Sequence, residues 1–435
     1  MNQMNPYKRF KKWYFIGMGI FLTMAFIGLA GLILVRTNAS AAWQFDNLMA
    51  KVKYALNPPE KAVFVPQDQV SLMVSATLKA LTPSTTPTLQ ATAAVTPTLD
   101  TTPRTPTITP TAIPGRKLLT GFRHEYQGWN NCGPANLAML LSFWDWVGDQ
   151  SDTAAYLKPN PRDKNVMPYE MQTYIEEKTD LFVLIRYGGD LELLHSFVAA
   201  GIPVLIERGF EGADFEDWMG HYEVISGYDL AQEKFYAQDS YTGPDYPILA
   251  AELENYWRSF NYIYLIVYPA ERETEVLHIL GPQADETYNL SYTAELATVD
   301  TVQMTGRDLF FAWYNRGTSL VNLGDYTGAA MAYDEAFKVY PTLELGERPW
   351  RMVWYQTGPY YAYYYTGRYY DVISLATTTL TAMNEPILEE SYVWRARARA
   401  ALGDTAGAID DLNQALKYHK DYAPALEELA RLAGQ

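Results

Sequence analysis

The sequence predicts three architectural parts: a single N-terminal transmembrane helix, an α+β domain and an all-α solenoid of helical hairpins. Residues 13–35 run for 23 positions without a charge. Six Thr-Pro dipeptides between residues 82 and 114 then separate that run from everything downstream. Beyond them, residues 116–270 mix helix and strand patterns, whereas the C-terminal third repeats one helical pattern.

The apolar run Trp13 to Val35 is long enough, at about 1.5 Å per residue, to cross a bilayer core of roughly 30 Å. Lys8, Arg9, Lys11 and Lys12 precede it and Arg36 alone follows, so the positive-inside rule keeps residues 1–12 in the cytoplasm and puts the rest of the chain outside. Ala39-Ser40-Ala41 offers a rival reading as a cleavage site, but the apolar run is longer than a signal core of about 7–15 residues. Residues 36–80 read as a juxtamembrane segment. Residues 81–115 form a Thr/Pro-rich linker, since proline removes donors and pushes its neighbours to extended geometry, giving a semi-rigid spacer. Extended at about 3.1 Å per residue, such a stalk spans on the order of 100 Å.

Charge divides at the same place. The whole chain carries −16, residues 1–116 carry +7 and residues 117–435 carry −23. An acidic surface repels phosphate backbones and anionic lipid heads, which argues against nucleic acid as a partner and against a domain lying flat on the membrane.

Within residues 116–270 the first candidate for chemistry is Cys132, the one cysteine of 435 residues, in Gln127-Gly128-Trp129-Asn130-Asn131-Cys132-Gly133-Pro134-Ala135. An odd thiol in an exported chain is either reactive or left to pair between chains. Pro134 fits a first helical turn, and Leu137, Leu140, Leu141 and Trp144 recur at i, i+3, i+4, i+7. Cys132 therefore caps a helix, whose free N–H groups and partial positive charge favour the thiolate. Gly133 leaves room for a substrate backbone, and the Gln127 amide is placed to join the Cys132 N–H in holding an oxyanion. A base need not be near in sequence. His221 opens the strand pattern of His221-Tyr222-Glu223-Val224-Ile225-Ser226-Gly227, and a hairpin partner Lys234 to Gln238 would carry Asp239 to its ring. Asp239 also suits the turn Asp239 to Pro244 on its own account. His124, His195, His278 and His419 have no metal-ligand spacing, so they read as structural or surface residues and neither metal nor cofactor is expected.

Over residues 118 to 270 these blocks, with the strand Gly201-Ile202-Pro203-Val204-Leu205-Ile206 and Asp239-Ser240, resemble the papain-like cysteine peptidases of the double-glycine leader peptidase type, in particular stand-alone relatives without a transporter. The resemblance implies a papain-like α+β fold with Cys132 as nucleophile, His221 as general base and acid, Asp239 as the acid that orients it and Gln127 as oxyanion donor. Ser240 departs from the proline that relatives often carry there. No transporter segment follows, so a leader-peptide substrate does not carry over.

The elements expected in this stretch are the Cys132 helix, helices at Tyr169 to Glu177 and Leu191 to Ala200, and strands at Leu181 to Tyr187, Ile202 to Glu207, Tyr222 to Gly227, Lys234 to Gln238 and Tyr262 to Val267. Residues 271–304 read as a connector. In residues 305–435, Trp313, Gly317, Gly324, Tyr326, Ala329, Tyr333, Ala336 and Pro341 fall at the spacings of a 34-residue unit resembling tetratricopeptide repeats. Gly403, Ala408, Leu412 and Ala415 echo it, and Gly367 and Tyr369 mark a degenerate middle unit beside the tyrosine-rich stretch Tyr360 to Tyr370. Such solenoids bind peptides or proteins on a concave face.

The expectation is a membrane-anchored extracellular cysteine peptidase acting on a peptide or protein, with repeats that hold substrate or a protein partner. The alternatives are an inactive surface adaptor and a cysteine amidase or transpeptidase acting on wall material.

Overall fold

The computed structural model describes residues 63–66 and 113–434, except 159, 161, 162, 164, 212–217 and 384, together with isolated positions before residue 63. The expected membrane span, and nearly all of the juxtamembrane segment and linker, lie outside the described residues. Among the described residues no helix is long and apolar enough to cross a membrane.

Seven strands form one antiparallel sheet in the order β2-β7-β3-β4-β5-β6, with β1 paired to β4. They are β1 (Arg116–Leu118), β2 (Phe182–Arg186), β3 (Val204–Glu211), β4 (Trp218–Asp229), β5 (Lys234–Asp239), β6 (Gly243–Leu249) and β7 (Tyr264–Tyr268). β4 is the spine. Its first part pairs with β3 up to Val204↔Ile225, and β1 takes over that side at Leu118↔Gly227. Gly227 is glycine because β1 runs so close there that a Cβ would lie 2.7 Å from Leu118 Cδ1 and 2.9 Å from the Lys117 carbonyl oxygen. β1 and β6 escape sequence reading, the first because three residues show no period and the second because Pro244 and Pro247 mask its alternation.

Alternation along the strands supplies two apolar faces. Ile206, Ile225, Tyr228 and Ile266 face α4 (Leu191–Ala199), α5 (Ala250–Trp257) and α6 (Glu273–Leu280) through Leu194, Phe197, Leu253, Trp257 and Val276. Leu205, Tyr222, Val224 and Leu265 face α1 (Cys132–Phe143) and α3 (Pro168–Lys178), which contribute Leu137, Leu140, Leu141, Met171 and Ile175. Between those two helices α2 (Gln150–Leu157) starts on a capping box of Asp149 and Asp152.

The second face does not end with α3. Its core runs without a break into the repeats, through Phe310, Phe311 and Tyr314 of α8 (Gly306–Asn322). The expected connector is itself helical, with α6 followed by α7 (Glu286–Gln303), which packs on α8. The helical pairs are α8 with α9 (Tyr326–Val339), α11 (Gly358–Tyr365) with α12 (Tyr369–Thr381), and α13 (Glu389–Ala401) with α14 (Thr405–Tyr418). A short α10 (Met352–Tyr355) precedes the second pair and α15 (Ala423–Ala433) closes the series. In the tyrosine-rich stretch Tyr360 and Tyr363 are fully buried, and their hydroxyls meet Ser391 Oγ at 2.9 Å and Asp334 Oδ1 at 3.0 Å. Upstream of the linker, Phe64 is buried against the repeats, edge-on to Phe337 at 4.9 Å and near Tyr363 at 6.1 Å.

Gly317 lets α8 and α9 cross closely, since a Cβ there would sit 2.6 Å from the buried ring of Tyr333. Gly317→Ala is therefore expected to destabilise the repeats by about 1–3 kcal/mol despite alanine's better helix propensity. A denaturant midpoint equal to or above wild type would contradict this packing account.

Candidate active site

Cys132 is the first residue of α1, and Asn131 before it (φ −111°, ψ 22°) occupies the cap position that the sequence suggested for the cysteine itself. The loop leading in is pinned by side chains from α2 and just beyond it. Gln150 Oε1 accepts from Gly128 N and Asn131 Nδ2, both at 2.8 Å, and its Nε2 donates to the Tyr126 carbonyl at 2.8 Å. Lys158, buried, donates from Nζ to the carbonyls of Asn130 at 2.6 Å and Trp129 at 3.3 Å. Gly133 does not serve the purpose expected of it. It is buried, and the space beside its Cα is filled by Met171 Cε at 2.9 Å and Val166 Cβ at 3.1 Å from where a Cβ would stand, so it seats α3 against α1 rather than making room for substrate.

His221 lies within β4, the strand having begun three residues earlier at Trp218, and Asp239 is the last residue of β5. The pairing Val224↔Gln238 puts these two on the same face as diagonal neighbours. His221 Nε2 meets Asp239 Oδ1 at 2.8 Å, and both side chains are buried. Tyr241 N at 2.7 Å and Thr242 Oγ1 at 2.5 Å also donate to Asp239. Phe210 and Tyr241 flank the imidazole with ring centroids 5.2 Å and 6.3 Å away. With Nε2 taken, the other ring nitrogen is left for the Cys132 thiol, with which His221 hydrogen-bonds.

Burial alone would push the Cys132 thiol up, but the His221 hydrogen bond and charge, the Tyr222 main chain and the Lys158 charge together hold it below its ordinary value. Burial works against charge on His221 too, yet Asp239 and Cys132 raise it to about 10. Asp239 is held well below the carboxylate range, the His221 charge and three hydrogen bonds outweighing its burial. The arrangement favours thiolate and imidazolium together at neutral pH. His221, Glu223 and Asp239 also bring three possible cation ligands within 4.8 Å, but Arg208 bonds Glu223 and the imidazole bonds Asp239, so positive charge is already in place.

Gln127 joins this group through two intermediaries. Its N–H donates to the Ser240 carbonyl at 2.9 Å, and Ser240 Oγ donates to its Oε1 at 2.8 Å. Asn136 Nδ2 in turn donates to Ser240 Oγ at 2.8 Å, to the Tyr222 carbonyl at 2.7 Å and to the Cys132 carbonyl at 3.0 Å. With the amide oxygen of Gln127 fixed, its NH2 end is the end left to donate. Ser240, the departure noted in the sequence, is thus the residue that orients Gln127.

Residues 119–265 match the Peptidase_C39 like family. The C39-like domain is followed by a match to the tetratricopeptide repeat over residues 312–343. Among solved structures the chain is similar to a C39-like peptidase from Bacillus anthracis at 17% identity, over 35% of this chain and 96% of that one, with a TM-score of 0.30. It is also similar to a double glycine motif protease from an AMS/PCAT transporter in complex with the leader peptide, at 20% identity, over 35% of this chain and 99% of that one, with a TM-score of 0.26. Among curated proteins nothing matches the chain.

The C39-like domain thus brings Cys132, His221 and Asp239 together and ties Gln127 to them. Sequence reading missed Asn136, Lys158 and Glu207. Asn136 left a signal, being a polar side chain four residues after Cys132 inside an otherwise apolar helix. Lys158 and Glu207 left none, because a lysine after a helix and a glutamate on a strand are ordinary surface residues until the fold buries them. Of the other histidines, His195 stacks on Phe235 at 4.6 Å and His419 bonds Glu389 at 2.8 Å, away from the site, whereas His124 packs on Tyr126 at 4.9 Å, close enough to Asp239 to feel its charge.

Proposed function

We propose that the chain is a membrane-anchored cysteine peptidase whose catalytic domain and repeats lie outside the cell. The observation that carries the reading is the contact of His221 with Cys132 on one side and Asp239, at 2.8 Å, on the other. Cys132 thiolate attacks the carbonyl carbon of a peptide bond, and Gln127 with the Cys132 N–H steadies the oxyanion. The tetrahedral intermediate collapses as imidazolium His221 hands its proton to the leaving amine, giving a thioester. Water then attacks the thioester, His221 taking its proton, and releases the acid and Cys132 thiolate. Asp239 keeps the imidazole oriented and favours its charged form. The uncharged run 13–35 supports the anchor and the repeats support a role in holding substrate or partner.

Two measurements on the full-length protein test this. Cys132 is expected to react with iodoacetamide at pH 6 far faster than glutathione does, and Cys132→Ser to lose hydrolysis of a mixed peptide library with its unfolding midpoint unchanged. A Cys132 no more reactive than glutathione defeats the proposal. Gln127→Ala is expected to lower kcat by about 10²–10³ with KM little changed. An unchanged kcat removes Gln127 from the oxyanion role and leaves the rest standing.

A further inference from the structure

A cavity of about 320 Å³ opens where the start of α3, the interior strand β3 and the repeats meet. Its size is at the low end of ligand pockets, roughly 300–1,000 Å³, and suits a single side chain better than an extended ligand. Glu207, Phe260 and Ile263 line it from the domain, and Tyr355, Asn322 and Tyr361 from the repeats. Cys132 does not line it, but two of its walls lie near enough to feel the thiol's charge. Glu207 stands opposite Tyr222 in the β3–β4 register, one residue from the pair Arg208↔His221. Tyr355 lies against Gly220, whose added Cβ would be 3.0 Å from its ring, and both Glu207 and Tyr355 feel the charge of Cys132.

Glu207 is the unusual wall. The residue is 3% exposed, and among the described residues no cation pairs with it. Arg208, next in the strand, bonds Glu223, and Lys158, beneath the Cys132 loop, bonds the carbonyls of Trp129 and Asn130. Burial pushes the Glu207 carboxyl well above its usual range, the Tyr222 hydroxyl opposing and the Cys132 charge adding to the shift. An apolar occupant would leave this carboxyl buried and unmatched, and an anion would face both it and the thiolate. A cation would meet an acid at the floor and the faces of Tyr187, Tyr355 and Tyr361 around it.

We propose, resting on the peptidase reading, that this cavity is the specificity pocket for a lysine or arginine side chain next to the bond attacked by Cys132, with Glu207 as its counter-charge. The repeats then build half of the substrate pocket rather than a separate docking surface. N-acetyl-lysine amide and N-acetyl-arginine amide are the probes, with N-acetyl-norleucine amide as the uncharged control. On full-length protein the two cationic amides are expected to slow alkylation of Cys132 by iodoacetamide, and to bind Cys132→Ser in calorimetry at least tenfold tighter than the control. Glu207→Gln is expected to abolish that difference. Equal binding of lysine and norleucine amides, no protection by either cation, or a preference that survives Glu207→Gln overturns the proposal. The comparison of amides on unmodified sequence around the cavity stands even where the Glu207 variant folds poorly. Failure of the peptidase reading shows separately, as an unprotected alkylation rate no faster than that of glutathione.

Discussion

Replacing His221 with alanine is expected to lower the alkylation rate of Cys132 at pH 6 by about two orders of magnitude or more, and peptide turnover further still. A free thiol with a pKa of about 8.5 is thiolate in only roughly one molecule in 300 at that pH. Cys132 escapes this because His221 outweighs a burial that by itself opposes ionisation. Without the imidazole the burial remains, so the variant thiol becomes harder to ionise than a free one. Turnover falls further because the same residue protonates the leaving amine, a contribution of about 10²–10⁴ in its own right. The pH dependence follows from the direction of each shift. His221, raised to about 10, keeps its proton through neutrality, and the stability its charge lends is complete below the free value of about 6.5 and fades as pH rises toward 10. Asp239, held down, contributes above about 3.9 and loses its contribution as pH falls further. Wild-type alkylation should therefore stay high from mildly acid to alkaline pH, with hydrolysis declining as pH approaches 10. The variant should show the rising profile of an isolated, buried thiol. A variant that alkylates at the wild-type rate at pH 6 detaches His221 from the sulfur.

Removing residues 305–435 is expected to unfold the C39-like domain rather than trim an appendage. Trp218, which opens the strand carrying His221, is 1% exposed. It stacks on Phe260 at 5.8 Å, but its other aromatic neighbours are Phe311 at 5.6 Å and Tyr355 at 6.2 Å, both from the repeats. Arg351 Nη1 donates to the Trp218 carbonyl at 2.9 Å, and Gln356 Nε2 to the Ser259 carbonyl at 2.9 Å. Uncovering Trp218 and Phe260, which Tyr355 also covers, forfeits about 1.5–3 kcal/mol for each large side chain fully exposed. That sum reaches the lower end of the roughly 5–15 kcal/mol that holds a typical domain together. Fragment 113–304 should lack a cooperative transition and near-ultraviolet dichroism, and its Cys132 should react as an unfolded thiol. A fragment that melts cooperatively with a fast Cys132 would make the repeats a separable module.

That coupling is also where sequence reading stopped. The helix at Cys132, the hairpin joining His221 to Asp239 and the helical pairs at Tyr326 and Thr405 were legible because each depends on local period, turn chemistry or spacing. An apolar stripe declares that it is buried but not against what, so nothing in the sequence tells that Phe310, Phe311 and Tyr355 of the repeats also close the floor of the sheet. The polar half of the site shows the same limit. Cys132 and His221 stand out by residue type, whereas Ser240 and Asn136 acquire meaning only when β5 is laid beside α1. Gly133 shows the converse, since a glycine beside a nucleophile invites a substrate, and only the positions of Val166 and Met171 reveal that the chain fills the space itself.

On the proposed membrane anchor, Phe64 limits how far the catalytic domain can stand from the bilayer. Counted from sequence, the 80 residues from 36 to 115 intervene between membrane and catalytic domain, an upper limit of roughly 280 Å of extended chain at about 3.5 Å each. With Phe64 seated beside Phe337, a point upstream of the Thr/Pro stretch is already fastened to the repeats, and 27 residues, 36 to 62, separate it from the proposed anchor, an upper limit of roughly 95 Å. On that proposal one aromatic ring in its socket lowers the upper limit of the domain's distance from the membrane to about a third.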